Sequence, residues 1–221
     1  MRCRGAGVAQ DPRDRGVTLV EVLVAMGLFS LLGTLLLGLA VSTSKVTDDT
    51  RMLTNVNEES RLVMERLTRE LRQASVITTV HLPATTTDTT ALTFWTDFDG
   101  DTVRDLNAAD PEVLTYRWDP VTSGLTLTAN DASGTAVTRP VLAAIVSKFT
   151  LGLRSSKWQY DVNADGSTTW QELDAAGVGN GNQTPDGQEL DNIDLVELSM
   201  TVLDGAHAQT YRTKVDLRNR N

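Results

Sequence analysis

The sequence predicts an α+β protein in which one long N-terminal helix packs on a mostly antiparallel β-sheet head. Three observations predict it. Twenty residues from Val22 to Val41 carry no charge. A one-sided apolar stripe at helical spacing follows them. After Pro83 the chain changes to short β-like runs set between turn residues. At 221 residues it suits one ordinary domain plus an appendage. With 40% hydrophobic and 22% charged residues it is too apolar for disorder and too polar for many membrane spans. A net charge of −9 argues against nucleic acid as a partner, because phosphate binding needs a basic face. One cysteine, Cys3, excludes an internal disulfide framework and a cysteine-cluster metal site. Two histidines, His81 and His207, leave little for a zinc site or a histidine-based triad. No Walker A, G-x-S-x-G or G-x-G-x-x-G context occurs, and no enzyme is read here.

The first element is a membrane segment. Residues 1–16 carry Arg2, Arg4, Arg13 and Arg15 against Asp11 and Asp14. The uncharged run after them would make a helix about 30 Å long, the thickness of a bilayer's hydrocarbon core. Basic residues ahead of it place the N-terminus in the cytoplasm and the remainder outside. Three readings of the segment compete; two are a signal peptide cut near Ala40-Val41-Ser42 and a plain single-pass anchor, and the third rests on the residues around Glu21. The run is long for a signal peptide. Neither of the first two readings gives Glu21, at the entrance to the run, a role.

Arg15-Gly16-Val17-Thr18-Leu19-Val20-Glu21-Val22-Leu23-Val24 resembles the cleavage motif of type IV pilins and pseudopilins. The resemblance implies a leader, residues 1–16, that a prepilin peptidase removes by cutting between Gly16 and Val17 and methylating the new N-terminus. Glu21 then becomes the fifth residue of the mature chain. Val17 departs from the family's usual phenylalanine, within its tolerance for apolar residues. Physical chemistry supports Glu21 independently, since a carboxylate at the bilayer edge is costly without a partner. The α-amine of Val17, one helical turn away, can neutralise it within a subunit or between neighbours. The resemblance implies that this pairing recruits or registers subunits in a filament.

The second element continues the first. No proline occurs between Val17 and Leu82. Leu53, Val56, Ser60, Val63, Leu67, Leu71 and Ala74 follow in steps of 3, 4, 3, 4, 4 and 3. That is the stripe of an amphipathic helix. Arg61–Glu65, Glu65–Arg69 and Arg66–Glu70 are opposite charges four apart on a solvated face. The helix is therefore expected from about Val17 to Ser75. Residues 17–44 form its transmembrane or filament-core part, and residues 45–80 hold the amphipathic continuation into the head. Arg51 to Ala74 resembles the corresponding stretch of minor pilins and J-type pseudopilins.

The head, residues 81–221, is expected to hold strands at Leu92–Thr96, Val113–Trp118, Leu125–Thr128, Ile145–Leu153, Ile193–Val202 and Thr210–Leu217. One mostly antiparallel sheet would pack on the helix, with Ala84–Thr90 and Gly177–Gly187 as loops. Trp95, Trp118, Trp158 and Trp170 read as core or loop-anchoring aromatics.

The sharpest chemical motif is residues 161–172, DVNADGSTTWQE, which fits the calcium-loop pattern D-x-[DN]-x-[DN]-G-x₅-E. Asp161, Asn163 and Asp165 would each give a side-chain oxygen to calcium and Ser167 its carbonyl. Thr169 would act through water and Glu172 would bind bidentately. Gly166 permits the sharp turn. The alternative is an acidic turn capping a helix that begins near Thr169. Ten acidic residues and no Lys or Arg lie between Trp158 and Tyr211, which favours a cation. A second acidic cluster, Asp97, Asp99, Asp101 and Asp105, lacks the glycine and the final glutamate of the pattern and reads as a hairpin loop, with adventitious calcium the alternative. Its continuation Pro111-Glu112-Val113-Leu114-Thr115-Tyr116 resembles an acidic hairpin of minor pilin heads.

Taken together, the resemblance implies a minor subunit of a type IV pilus or of a type II secretion pseudopilus. Its implied partners are other pilin subunits, prepilin peptidase and an inner-membrane assembly platform. It would sit in the inner membrane with an extracytoplasmic head, then in a cell-surface or periplasmic filament. The alternative from another class is a single-pass membrane protein with a calcium-dependent binding head.

Overall fold

The computed structural model describes residues 17–105, 111–143, 145–204 and 207–217, with the backbone alone at Leu53 and Asp204. The expected leader, residues 1–16 with Gly16, lies outside the described residues. The chain divides into two compact units, one ending at Arg51 and one beginning at Met52. Helix α1, Leu19–Arg72, begins in the first unit and ends in the second.

In the first unit every described side chain from Val17 onward is exposed. Thr18 caps the helix: its Oγ1 accepts the Glu21 N–H at 3.3 Å, and its carbonyl accepts the Val22 N–H at 3.2 Å. Thr18-x-x-Glu21 is a capping sequence that sets an acid in the first turn, where the helix dipole favours negative charge.

In the second unit the predicted stripe is the buried face of α1. Ser60, Leu67 and Leu71 are fully buried, Val63 nearly so, and Val56 packs against them from the margin. Met64 joins them. The helix stops earlier than expected. Ala74–His81 is strand β1 rather than the end of the amphipathic helix, which corrects the boundary drawn at residue 80. The run Val76-Ile77-Thr78-Thr79-Val80 is β-branched throughout, and such side chains are stiff at χ1 and fit a pleated surface better than a helical one.

The expected single sheet is two. β1 pairs in order with β2 (Thr90–Thr96), β3 (Val113–Asp119), β4 (Gly124–Asn130) and β5 (Ala136–Leu142) in an antiparallel meander. β6 (Val146–Ser155), β7 (Thr168–Thr169), β8 (Leu195–Asp204) and β9 (His207–Asp216) form a second antiparallel sheet in the order β7-β6-β8-β9. β5 was not among the expected strands; it contains Pro140, which cannot donate to a ladder and suits the sheet edge the strand occupies. Two six-residue helices, α2 (Trp170–Ala175) and α3 (Gly187–Asn192), lie between β7 and β8. The expected loop Gly177–Gly187 joins them, its last residue opening α3.

One core joins these layers. Leu67 and Leu71 of α1, Phe94 of β2, Tyr116 of β3, Phe149 of β6 and Met200 of β8 belong to it. Two hydrogen bonds stitch the sheets: Trp118 Nε1 donates to the Val146 carbonyl at 2.9 Å, and Thr90 Oγ1 donates to the Phe149 carbonyl at 3.2 Å.

Candidate functional site

The N-terminal site is built on a helix with no protein around it. From Val17 to Val41 leucine, valine, phenylalanine and methionine side chains face outward on all sides. An apolar surface of that extent is stable only against lipid or another protein. The hydroxyls of Ser30, Thr34 and Thr43 donate to the carbonyls of Met26, Leu31 and Leu39, each at 2.9 Å. These groups therefore make no demand on the surroundings, as an apolar medium requires. Glu21 is the one ionisable side chain from Val17 to Ser44, placed at the helix start. Of the predicted processing and assembly positions, Val17 lies just ahead of the helix and Glu21 on its first turn, with Thr18 fixing the start. The T-x-x-E signal was present in the sequence and identifies that start.

The calcium-type loop follows a 3-10 turn, Trp158–Tyr160, at the end of β6. Asp161 Oδ1 and Oδ2 accept the N–H groups of Asp165 and Gly166 at 3.2 and 2.8 Å. Asn163 Oδ1 accepts the Asp165 N–H at 2.8 Å, and its Nδ2 donates to Asp165 Oδ2 at 3.1 Å. Glu172 reaches back to the Asn163 N–H at 3.4 Å. Asp161, Asn163, Asp165 and Glu172 are therefore wrapped on one another, with Gly166 at φ +82° making the turn. Ser167 Oγ accepts from Arg154, leaving its carbonyl as the candidate ligand.

Thr169, not an aspartate, caps the next helix. Glu172 Oε2 accepts the Thr169 N–H at 2.8 Å while Thr169 Oγ1 accepts the Glu172 N–H at 3.4 Å, a complete capping box. The Glu172 carboxyl is held below the usual range, first by the Thr169 N–H. Glu172 therefore already has a structural task without an ion.

Three acidic features take partners that the sequence reading did not assign. Asp97, Asp99 and Glu112 bring one carboxylate oxygen each within 4.8 Å of the other two. Glu112 is 2% exposed and accepts from Trp95 Nε1, Phe98 N and Asp105 N at 2.9, 2.8 and 3.0 Å. Burial alone would raise its carboxyl, but these donors outweigh that and hold it below the usual range. It organises the loop after β2 rather than lying in a solvated hairpin.

The second feature lies between α2 and α3, where the buried carboxyls of Asp174 and Glu189 hydrogen-bond each other. Asp174 accepts the Gly181 and Gln183 N–H groups at 2.6 and 2.9 Å. Burial tends to raise it, and these donors outweigh that tendency. Glu189 is raised, by burial first, and the hydrogen bond to Asp174 adds to that.

The third feature corrects the expectation of a wholly solvated charged face on α1. Arg61–Glu65 forms at 3.0 Å in solvent, but Glu70 turns inward. Its Oε1 accepts Arg66 Nε at 2.7 Å and its Oε2 accepts the Tyr116 hydroxyl at 2.5 Å. Nothing in the i, i+4 pattern marks that partner, because it comes from β3.

Residues 11–37 match the family described as the prokaryotic N-terminal methylation motif, the prepilin signature of type IV pilins and pseudopilins. That signature implies processing by prepilin peptidase and assembly with other pilin subunits, and it belongs to structural subunits rather than enzymes. No curated protein and no solved structure matches the chain.

Proposed function

We propose that this prepilin-type chain is a minor structural subunit of a type IV pilus or a type II secretion pseudopilus. The observation that carries the reading is the methylation motif running directly into a helix whose apolar side chains are exposed all round. Before assembly that helix holds the chain in the inner membrane with the head outside. On an inner-membrane assembly platform it then exchanges lipid for the helices of neighbouring subunits in a cell-surface or periplasmic filament. The exchange costs little apolar exposure, because lipid and a bundle of such helices are similar environments. The Val17 amine and the Glu21 carboxylate supply register, since each is poorly solvated there until it meets the other. The test is Glu21→Ala in cells that assemble the filament. Insertion should persist and incorporation should fail; normal incorporation would overturn the reading.

We also propose that calcium binds residues 161–172 as a structural ion. The side chains of Asp161, Asn163, Asp165 and Glu172 and the carbonyl of Ser167 are of the right chemistry, with Thr169 acting through water. Calcium near millimolar, as outside cells, suffices for a weak site of this kind. The full chain should melt higher in about 1 mM calcium than in chelator. Glu172→Ala should abolish the difference, and identical melting of the parent chain in both would remove the ion.

A further inference from the structure

On a chain of net charge −9, the outer face of the second sheet is basic. Lys148 and Arg154 of β6 lie on the side of the sheet opposite the buried Phe149 and Leu153. Register places Arg212 opposite Ser199 and Lys214 opposite Glu197 on that same side. Among the described residues Glu197 is the acid that lines the groove on this face, and Asp216 stands on the same side at the end of β9. Glu197 binds Lys214 at 2.7 Å and Arg154 at 3.2 Å, holding both cations over the sheet. Lys148 and Arg212 are exposed and have no ion pair among the described residues. Between the cations lies a groove of about 860 Å³. Its hydroxyl lining includes Thr150, Ser199, Thr201 and Thr210.

The complement is on the same chain. Trp158, in the 3-10 turn after β6, is 82% exposed, and Val162 is 72% exposed. Trp158 was expected as a core or loop-anchoring aromatic, and the structure points it outward. Asp161 and Asp165 flank the pair within the stretch that carries no Lys or Arg. An exposed tryptophan in an acidic rim is the composition of an interface anchor, and its ring face attracts Arg and Lys. The exposure of Trp158 shows that its own head does not cover it. A surface of matching charge is the outer sheet face just described, and a contact between two different patches of one chain is heterologous, so each copy can engage two neighbours through its globular part.

We propose that the acidic loop Trp158–Asp165 of one copy, while its carboxylates hold no calcium, docks on the basic outer face of β6, β8 and β9 of a second copy. The contact requires only the heads, so it stands apart from the assembly role of Glu21. Salt weakens it, because most of its charges are solvent-exposed.

The experiment uses the full chain in lipid vesicles, with a photoreactive benzophenone amino acid in place of Val162. Irradiation should give chain–chain adducts whose cross-linked peptides fall in residues 148–154, 197–201 or 210–214. The exposed pair Lys148→Glu and Arg212→Glu should lower adduct yield roughly tenfold, as should about 0.5 M salt on the parent chain. Adducts that map elsewhere on the chain, to lipid or to a different protein overturn the proposal, as does a yield indifferent to both charge reversal and salt. Glu21→Ala should leave the adduct in place; its loss in that variant would assign the contact to helix-driven assembly and overturn the independent docking.

Discussion

Tyr116→Phe removes one oxygen from the junction between α1 and the first sheet and leaves the packing in place. Tyr116 is fully buried, and its ring stacks on Phe94 with centroids 6.2 Å apart and planes 2° from parallel, a contact phenylalanine keeps. Only the donor to Glu70 Oε2 at 2.5 Å is lost. Arg66 still binds the other oxygen at 2.7 Å, so the Glu70 carboxyl loses one of its two partners in a site where little water reaches. A hydrogen bond to a charged group contributes about 1.5–3 kcal/mol, and that is the expected loss. At roughly 2–4 °C per kcal/mol for a domain of this size, Tm falls by about 3–12 °C. Burial, then the Glu70 charge, pushes the phenol above its ordinary range, so it remains a donor across the neutral range and the effect should not vary there. The assay is thermal unfolding of the full chain in detergent, followed by circular dichroism. Glu70→Gln and the double variant complete a cycle whose coupling should exceed about 1 kcal/mol. A loss under about 0.5 kcal/mol, or strict additivity, would refute the latch. The latch matters because α1 carries the proposed assembly face at one end and meets the head at the other.

Other perturbations follow from the same structure. Leu67→Ala, at a fully buried stripe position, should cost about 2–5 kcal/mol in denaturant unfolding with an unchanged m-value. Ser60→Ala should be neutral or stabilising by up to about 1 kcal/mol, because its buried Oγ has no partner to lose. Glu112 has a folded-state carboxyl below its unfolded value of about 4.3, so its stabilisation is present above that pH and disappears as pH falls through the lower folded value. Glu112→Gln should flatten that acid limb, seen in Tm against pH. Glu189 has the opposite sign: its contribution is present below the ordinary glutamate range and lost as pH rises through its raised value. Glu189→Gln should therefore raise Tm near neutral pH while changing it little in acid.

The helix was legible because its two halves write different patterns: an uncharged run, then a stripe at steps of three and four. Ser60, Val63, Leu67 and Leu71 are buried as their spacing requires. Its end was not legible, because Ala74 continues the helical stripe while also beginning a β-branched run, and pairing with Thr96 of β2 decides the matter. The division into two sheets was hidden for the same reason, since pairing partners are chosen by tertiary packing rather than by local pattern. Val17 and Glu21 were singled out by the resemblance of residues 15–24 to a cleavage motif, while the spacing within residues 161–172 brought out Asp161, Asn163, Asp165 and Glu172, which hydrogen-bond among themselves. Glu70, Glu112 and the Asp174–Glu189 pair were not, because each takes its meaning from a neighbour distant in sequence. Trp158 was misread inward because an aromatic beside a turn usually packs, and only the structure shows it exposed.

The most direct measurement is the N-terminus of the native mature protein, by mass spectrometry of its first peptide. A chain beginning at N-methylated Val17 is the predicted result. A chain that keeps Met1 or Arg2, or one that begins after Ser42, would contradict it.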